Sequence, residues 1–150
     1  MGHTFTNHLY HIVFSTKERR SYLVANIRQR VFKYICGIAM KKHAMPLSIN
    51  GMEDHLHLLV KIKPDAAVAK FVGDIKGNSS RWISQTFPDL RAFTWQSGYS
   101  SFTVSESKWK SVASYIEDQQ KHHSRMSFKE ELSALLRKHN IEFDAEAYLD

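Results

Sequence analysis

The sequence predicts an α+β fold: an antiparallel sheet with two helices on one face. Segments rich in β-branched and aromatic residues, or with alternating polarity, are typical of strands, and they occur at 10–16, 46–50, 55–62 and 101–107. Two longer segments, at about 22–42 and 66–86, have apolar residues at helical spacing. The order β-α-β-β-α-β, followed by further helices, indicates a ferredoxin-like sandwich.

Each of the two long helices is predicted from its apolar stripe. The stripe of the first comprises Leu23, Ile27, Val31, Tyr34, Ile35 and Ile38. The stripe of the second comprises Val68, Phe71, Val72, Ile75, Ser79, Trp82 and Ile83. Phe87 and Pro88 are expected to end this second helix. Between the two helices, the short segment 51–54 is expected to join strands 46–50 and 55–62 as a hairpin.

Two more helices are predicted after the last strand. One runs from about 108 to 123, with Ser107 as its N-cap. The other opens with Ser127–Glu130, which matches a capping box, and carries Leu132, Leu135 and Leu136 on one face. We expect residues 1–150 to form one domain, with a core of about 8–125 and a C-terminal helix and tail at 126–150.

The composition, 43% hydrophobic and 24% charged, is typical of a soluble globular protein. We expect no membrane span, no signal peptide and, with Cys36 as the single cysteine, a reducing cytoplasm. The net charge is +6, and the last ten residues hold four acids and no base. Residues 1–140 therefore carry 21 basic and 11 acidic side chains, a net +10. This balance favours a polyanionic partner.

The strand at 55–62 contains a histidine pair. Side chains alternate faces along a strand, so His55 and His57 share one face while Leu56, Leu58 and Val60 line the other. The two long helices are expected to cover the leucine face, which puts both histidines on the open face of the sheet. Two imidazoles can bind a metal ion but do not complete its coordination, since common metals take four to six ligands.

The helix at 108–123 supplies further candidates. Tyr115 and Gln119 are four residues apart, hence on one side of a helix, and they lie off its apolar stripe. Lys108 and His122 fall on the same side, whereas Gln120 is an alternative to Gln119 that lies nearer the stripe. His122 and His123 are expected to flank the end of this helix, although His122 can also reach the site.

These motifs resemble the single-tyrosine HUH transposases of small bacterial insertion sequences and their domesticated REP-associated relatives. The His-hydrophobic-His signature is matched at 55–57, and the Tyr-x-x-x-Gln signature at 115–119. Supporting similarities are "YHIVFSTKERR" at 10–20, "IKGNSSRWI" at 75–83 and "WQSGYSSFTVSES" at 95–107. The motifs occur in the order of the family and cover most of the chain.

The resemblance implies that the protein cleaves and rejoins single-stranded DNA at hairpin-bearing element ends. Tyr115 would attack a phosphodiester to give a 5′-phosphotyrosine link and a free 3′-OH. His55, His57 and Gln119 would hold a divalent metal, Mg²⁺ or Mn²⁺. The resemblance also implies a bacterial or archaeal cytoplasmic protein, and a homodimer in which the tyrosine helix of one subunit acts in trans on the partner's histidines.

Several polar and aromatic residues are candidates for contacts with DNA. The polar candidates are Lys17, Arg19, Arg20, Lys76, Asn78, Ser79 and Arg81. Ordinary solvated surface is the alternative for each, and Ser79 can equally face the core. Trp95 and Tyr99 can stack on unpaired bases or simply pack the loop. Glu53 and Asp54 can join the metal site, but a turn explains both adequately.

Three other functions remain open at the level of sequence. The chain can be a domesticated REP-associated strand transferase, a non-catalytic nucleic-acid hairpin-binding module, or a metal-dependent phosphoesterase that releases its product. The complete set of His55, His57, Tyr115 and Gln119 argues against the binding module, because binding alone requires no such set.

Overall fold

A computed structural model describes residues 2–144. The strands and helices are β1 Leu9–Ser15, α1 Ala25–Lys41, β2 Met45–Gly51, β3 His55–Lys61, α2 Val68–Thr86, β4 Ser100–Val104, α3 Trp109–Glu117, α4 Gln119–His122 and α5 Phe128–Lys138. Short 3₁₀ turns lie at Lys17–Arg19 and Pro88–Leu90. The predicted order β-α-β-β-α-β is confirmed. Of the acidic tail, Glu146 and Asp150 lie outside the described residues.

The four strands form one antiparallel sheet in the order β2-β3-β1-β4. The register sets Val13 of β1 opposite His57 of β3, and His11 opposite Leu59. Directly paired residues of an antiparallel sheet share a face. The histidine pair and His11 of the neighbouring strand therefore lie on the same face.

The other face carries the main core beneath α1 and α2. Leu56, Leu58 and Val60 of β3 are fully buried there, as are Ile35 and Ile75 from the two helices. This packing follows from the predicted apolar stripes of the two helices, because each stripe lies against the sheet.

The prediction that the histidine face is open is wrong. α3 packs Ala113 and Ile116 against Leu59, and α5 packs a second apolar cluster onto Val13 and Phe102. That cluster comprises Phe128, Leu132 and Leu136 of α5. Both helices have apolar stripes that must be buried, and this face of the sheet is where they do so.

Some element boundaries differ from the prediction. α1 begins at Ala25 rather than near residue 22, because the preceding segment is extended and Leu23 N–H donates to Glu53 O. The helix predicted at 108–123 is two helices separated at Asp118 (φ −92°, ψ 19°). Ser107 does not cap α3, since its hydroxyl pairs with that of Ser105. The capping box of α5 is confirmed.

The β2–β3 hairpin depends on Gly51. A Cβ at this position would lie 2.1 Å from the carbonyl oxygen of His55 and 2.7 Å from Leu56 Cα. Contacts this short exclude any side chain without a backbone shift. The glycine therefore allows the close approach from which His55 starts its strand. Within residues 2–144, no helix has the length and hydropathy that crossing a bilayer requires.

Candidate active site

The two histidines of β3 lie at the bottom of a buried polar cluster between the sheet and the C-terminal helices. His55 and His57 have no solvent exposure, and Gln119 of α4 is equally buried. His55 Nε2 lies 3.0 Å from Gln119 Oε1. The structure thus brings together the three residues that the family resemblance implies as metal ligands.

Glu131 of α5 occupies the centre of this cluster, and the sequence analysis missed it. Its Oε1 lies 2.9 Å from His57 Nε2, 3.3 Å from His55 Nε2 and 2.9 Å from His123 Nε2. Its Oε2 accepts hydrogen bonds from Gln119 Nε2, at 2.7 Å, and from the Tyr115 hydroxyl. Glu131 is only 1% exposed. One carboxylate therefore connects α3, α4 and α5 to the histidine strand.

The remaining ring nitrogens of the histidine pair also have partners. His55 Nδ1 lies 2.7 Å from Asp54 Oδ1, and His57 Nδ1 lies 2.8 Å from His11 Nε2. Such contacts fix the tautomer and orientation of a ligating imidazole. The Nε2 atoms of both rings are thereby directed toward Glu131. Asp54, which the sequence explained by a turn, therefore also contacts the site directly through His55.

The charges of the cluster shift the pKa values of its members. Burial opposes protonation of His55, but its hydrogen bonds to Asp54 and Glu131 outweigh burial and raise its pKa to about 9. Burial lowers the pKa of His57 and lowers that of His11 to about 3. For Glu131, the hydrogen bonds from three imidazoles outweigh burial and lower its pKa. The cluster thus contains one stable carboxylate and one readily protonated imidazole.

Tyr115 lies half-buried at the edge of the cluster, beside the histidines of its own chain. Its ring centroid is 5.9 Å from that of His57, and the ring stacks on His122 at 4.6 Å. Burial and the carboxylate of Glu131 raise the pKa of its hydroxyl. His122 was predicted to fall on this side. His123, placed by the sequence only near a helix end, contacts Glu131.

The tyrosine also borders a cavity of about 760 Å³ between β4, α3 and α5. Tyr115 and Glu131 are among its lining residues, and Lys108 and Lys138 contribute basic side chains. A cavity of this size can hold a nucleotide-sized group. The cavity thus borders the buried cluster at Tyr115 and Glu131.

The cluster has donor atoms that can hold a metal ion. Ligand atoms of His55, His57 and Glu131 all lie within 4.8 Å of one another, so this group is able to hold a divalent metal. Adjacent ligands at right angles, with bonds of about 2.1 Å, lie about 3.0 Å apart. Glu131 Oε1 lies 2.9 Å from His57 Nε2 and 3.3 Å from His55 Nε2, and Gln119 Oε1 lies 3.0 Å from His55 Nε2. These contacts have the length of hydrogen bonds as well as that ligand spacing.

The residues predicted to contact DNA differ in their surroundings. Lys17, Arg20 and Arg81 are exposed. Arg20 pairs with Glu18 at 3.0 Å, and Arg81 donates to Asn78 Oδ1 at 3.5 Å. Arg19 is half-buried and lies in the 3₁₀ turn after β1.

Three other candidates are used within the fold. Ser79 is buried, donates to Ile75 O and accepts from Trp95 Nε1 at 2.9 Å, so its hydroxyl is not placed to contact DNA. Trp95 is likewise 6% exposed and is not available for base stacking, whereas Tyr99 is 42% exposed. Lys76 Nζ donates to the carbonyl oxygens of residues 96 and 98 and so anchors the loop before β4.

Solved structures with this fold define the class. The structure of a REP-associated tyrosine transposase bound to a REP hairpin has a TM-score of 0.62 at 13% identity, covering 84% of this chain and 74% of that one. The crystal structure of a transposase candidate from Deinococcus radiodurans R1 has a TM-score of 0.65 at 28% identity, covering 79% and 96%. The fold is that of the tyrosine transposases.

Sequence relatives identify the family. The transposase of insertion sequence element IS200 from Salmonella typhimurium is 34% identical over 125 residues, which are 79% of this chain and 81% of the relative. The ISDra2 transposase TnpA of Deinococcus radiodurans is 30% identical over 115 residues, 73% and 82% respectively. The family described as transposase IS200 like matches residues 4–119. The chain belongs to this family, and α5 with Glu131 follows the matched segment.

Proposed function

We propose that this transposase cleaves and rejoins single-stranded DNA through a covalent 5′-phosphotyrosine intermediate at Tyr115. The observation that carries the proposal is the position of the Tyr115 hydroxyl. It donates to Glu131 Oε2, while Oε1 of the same carboxylate is 2.9 Å from His57 Nε2. The proposed nucleophile and the proposed metal ligand His57 therefore contact the two oxygens of one carboxylate.

A divalent metal held by His55, His57 and Gln119, with Glu131 as a further ligand, would polarise the scissile phosphate. Mixed imidazole, amide and carboxylate donors suit Mn²⁺ at least as well as Mg²⁺. Tyr115 would supply the attacking oxygen, and the phosphate would bind beside imidazoles that have no solvent exposure. Water exclusion favours rejoining over hydrolysis, because the 3′-OH is then the nucleophile that reaches the link.

We propose single-stranded DNA with a hairpin as the substrate. The net charge of +6 favours a polyanion, and the solved relative bound to a REP hairpin supports a folded single strand. Lys17, Arg19, Arg20, Asn78 and Arg81 are proposed to contact phosphates. Raising salt should then weaken binding steeply, by an amount set by the number of phosphates neutralised.

A denaturing gel tests the chemistry. The protein is mixed with labelled single-stranded hairpin DNA from the flanks of its own gene, in Mn²⁺ or in EDTA. We expect a metal-dependent band that carries the label on the protein. Tyr115→Phe should lose this band but bind the hairpin nearly as tightly, because it removes one hydroxyl and no phosphate contact. His57→Ala should lose metal-dependent cleavage.

Other outcomes select the alternatives. Cleavage without an adduct would indicate a phosphoesterase, and hairpin binding without cleavage would indicate a binding module. Undiminished cleavage by His57→Ala would refute the metal assignment. A strand transferase acting on host repeats would form the same adduct with repeat hairpins rather than with hairpins beside its own gene.

A further inference from the structure

We infer that His11 of β1 is a positioning residue for the proposed metal ligand His57, and that the proton shared by the two rings changes sides on metal binding. The inference rests on the proposed function, which takes His57 Nε2 as a ligand. His11 Nε2 lies 2.8 Å from His57 Nδ1, so a hydrogen bond joins two buried side chains. This bond is made at the ring nitrogen of His57 that faces away from Glu131.

The strands of the sheet set the geometry of this pair. His57 is opposite Val13 in the register of β1 and β3, and His11 lies two residues before Val13, on the same face. The two imidazole rings stack with centroids 5.0 Å apart, and the Phe102 ring of β4 packs edge-on against His11 at 5.9 Å. His57 has no solvent exposure and His11 has 3%. The pair is therefore held in one arrangement by three neighbouring strands.

The direction of the hydrogen bond in the metal-free protein follows from the third partner. A neutral imidazole carries its proton on one of its two nitrogens, and burial disfavours the charged form of both rings. A carboxylate oxygen only accepts, so His57 Nε2 donates to Glu131 Oε1 at 2.9 Å. The other nitrogen of His57, Nδ1, is then an acceptor. His11 Nε2 therefore donates to it.

Ligation of a metal reverses this direction. As a ligand, His57 needs a free lone pair on Nε2, so the proton of the neutral ring must lie on Nδ1. His11 Nε2 then accepts, and the proton of His11 lies on its own Nδ1. One proton leaves His57 Nε2, one passes from His11 Nε2 to His57 Nδ1, and one joins His11 Nδ1. Water accepts the first proton and supplies the last, so the charge of the pair does not change.

This exchange explains why a histidine suits the position. A carboxylate or a backbone carbonyl, the usual partner of a ligating imidazole, can only accept. A neutral histidine donates in one state and accepts in the other, so the hydrogen bond that orients His57 is kept with and without metal. His55 differs in this respect, because its Nδ1 lies 2.7 Å from the carboxylate of Asp54.

NMR of the wild-type protein with isotope-labelled histidines tests the exchange directly. A scalar coupling between His57 Nδ1 and His11 Nε2 would report the hydrogen bond, and the one-bond N–H coupling shows which nitrogen carries the proton. We expect the proton on His11 Nε2 in EDTA. In Zn²⁺, a diamagnetic ion that imidazoles bind well, we expect it on His57 Nδ1. A proton that stays on one nitrogen in both conditions would overturn the inference, as would the absence of the coupling.

Two substitutions of His11 separate positioning from packing. His11→Phe keeps a ring but makes no hydrogen bond, and it should weaken Mn²⁺ binding in calorimetric titration about 10-fold to 100-fold. His11→Gln should recover most of this loss, because an amide offers both a donor and an acceptor. His8→Phe is the matched control. His8 is exposed just before β1, so this variant should bind Mn²⁺ as the wild-type protein does.

The remaining outcomes are also decisive. Unchanged Mn²⁺ affinity in His11→Phe would remove the positioning role, and equal losses in His11→Phe and His11→Gln would assign His11 to packing alone. Should His11→Phe fail to fold in thermal unfolding, the wild-type NMR experiment still decides. His57→Ala identifies failure of the proposed function. If it binds Mn²⁺ as tightly as the wild-type protein, His57 is not a ligand, whatever the result at His11.

Discussion

Phe128→Ala should weaken the packing of α5 on the sheet and lower both stability and activity. Phe128 is the first residue of α5 and is 7% exposed. Its ring stacks on His55 and belongs to the cluster with Val13, Phe102 and Leu132. Truncation would leave a cavity beneath the first turn of the helix, one turn before the Glu131 carboxylate.

The expected loss of stability follows from this burial. Truncation of a buried phenylalanine costs about 3–5 kcal/mol, depending on how far the site collapses. Phe128 lies at the edge of its cluster, next to exposed Ser127, so collapse is partly possible. We therefore expect about 3 kcal/mol. At about 2–4 °C per kcal/mol for a chain of this size, the Tm should fall by about 6–12 °C.

Chemical and thermal denaturation of the metal-free protein would measure this loss. Met126→Ala is the control, because Met126 is 38% exposed in the preceding turn and its truncation should change stability by less than about 0.5 kcal/mol. Equal unfolding free energies for the two variants would refute the docking of α5 through Phe128. A normal rate of adduct formation in Phe128→Ala would refute the link between this docking and Tyr115.

Further predictions concern the hydrogen bonds and backbone that orient the histidines. Asp54→Asn should lower Mn²⁺ affinity about 10-fold to 100-fold in calorimetric titration, since it weakens the partner of His55 Nδ1. Gly51→Ala should lower the Tm and metal affinity together, because its Cβ would meet the His55 carbonyl oxygen at 2.1 Å. In EDTA, the Tm should peak near pH 6.5 and fall on both sides. The raised pKa of His55, about 9, adds stability that is complete below its unfolded value of 6.5 and is lost as pH rises toward 9. The lowered pKa of His11, about 3, removes stability as pH falls from 6.5 toward 3. A Tm that is constant across this range would contradict both assignments.

The order of the elements was predictable because each has a local signal. Apolar stripes show which sides of α1 and α2 are buried, and alternating polarity shows which face of β3 is buried. Packing the two helices on that face of the sheet buries all of these apolar side chains together. The ends of elements were less predictable. The α1 boundary depends on a hydrogen bond from Leu23 to distant Glu53, and no local pattern indicates such a contact.

The candidate site shows the same division between local and long-range information. His55 and His57 were assigned to one strand face by alternation, and Tyr115 and Gln119 to one side of a helix by spacing. Glu131 was missed because its importance arises from the meeting of α5 with the sheet. One signal was nevertheless present: Glu131 lies three residues after Phe128 and one before Leu132, and these apolar residues lie on the buried side of α5.

An acidic side chain on an apolar helix stripe is costly to bury unless charged or hydrogen-bonding partners contact it in the folded protein. In this chain, the groups that meet it are the imidazoles of His55, His57 and His123. The sequence analysis predicted that the histidine face is open, and solvated histidines need no buried carboxylate as a partner. It therefore gave no reason to look for an acid on α5. Once α5 covers the face, the hydrogen bonds between Glu131 and the imidazoles offset the desolvation cost of burying both partners. The covering helix is therefore part of the electrostatics of the site and not only of its packing.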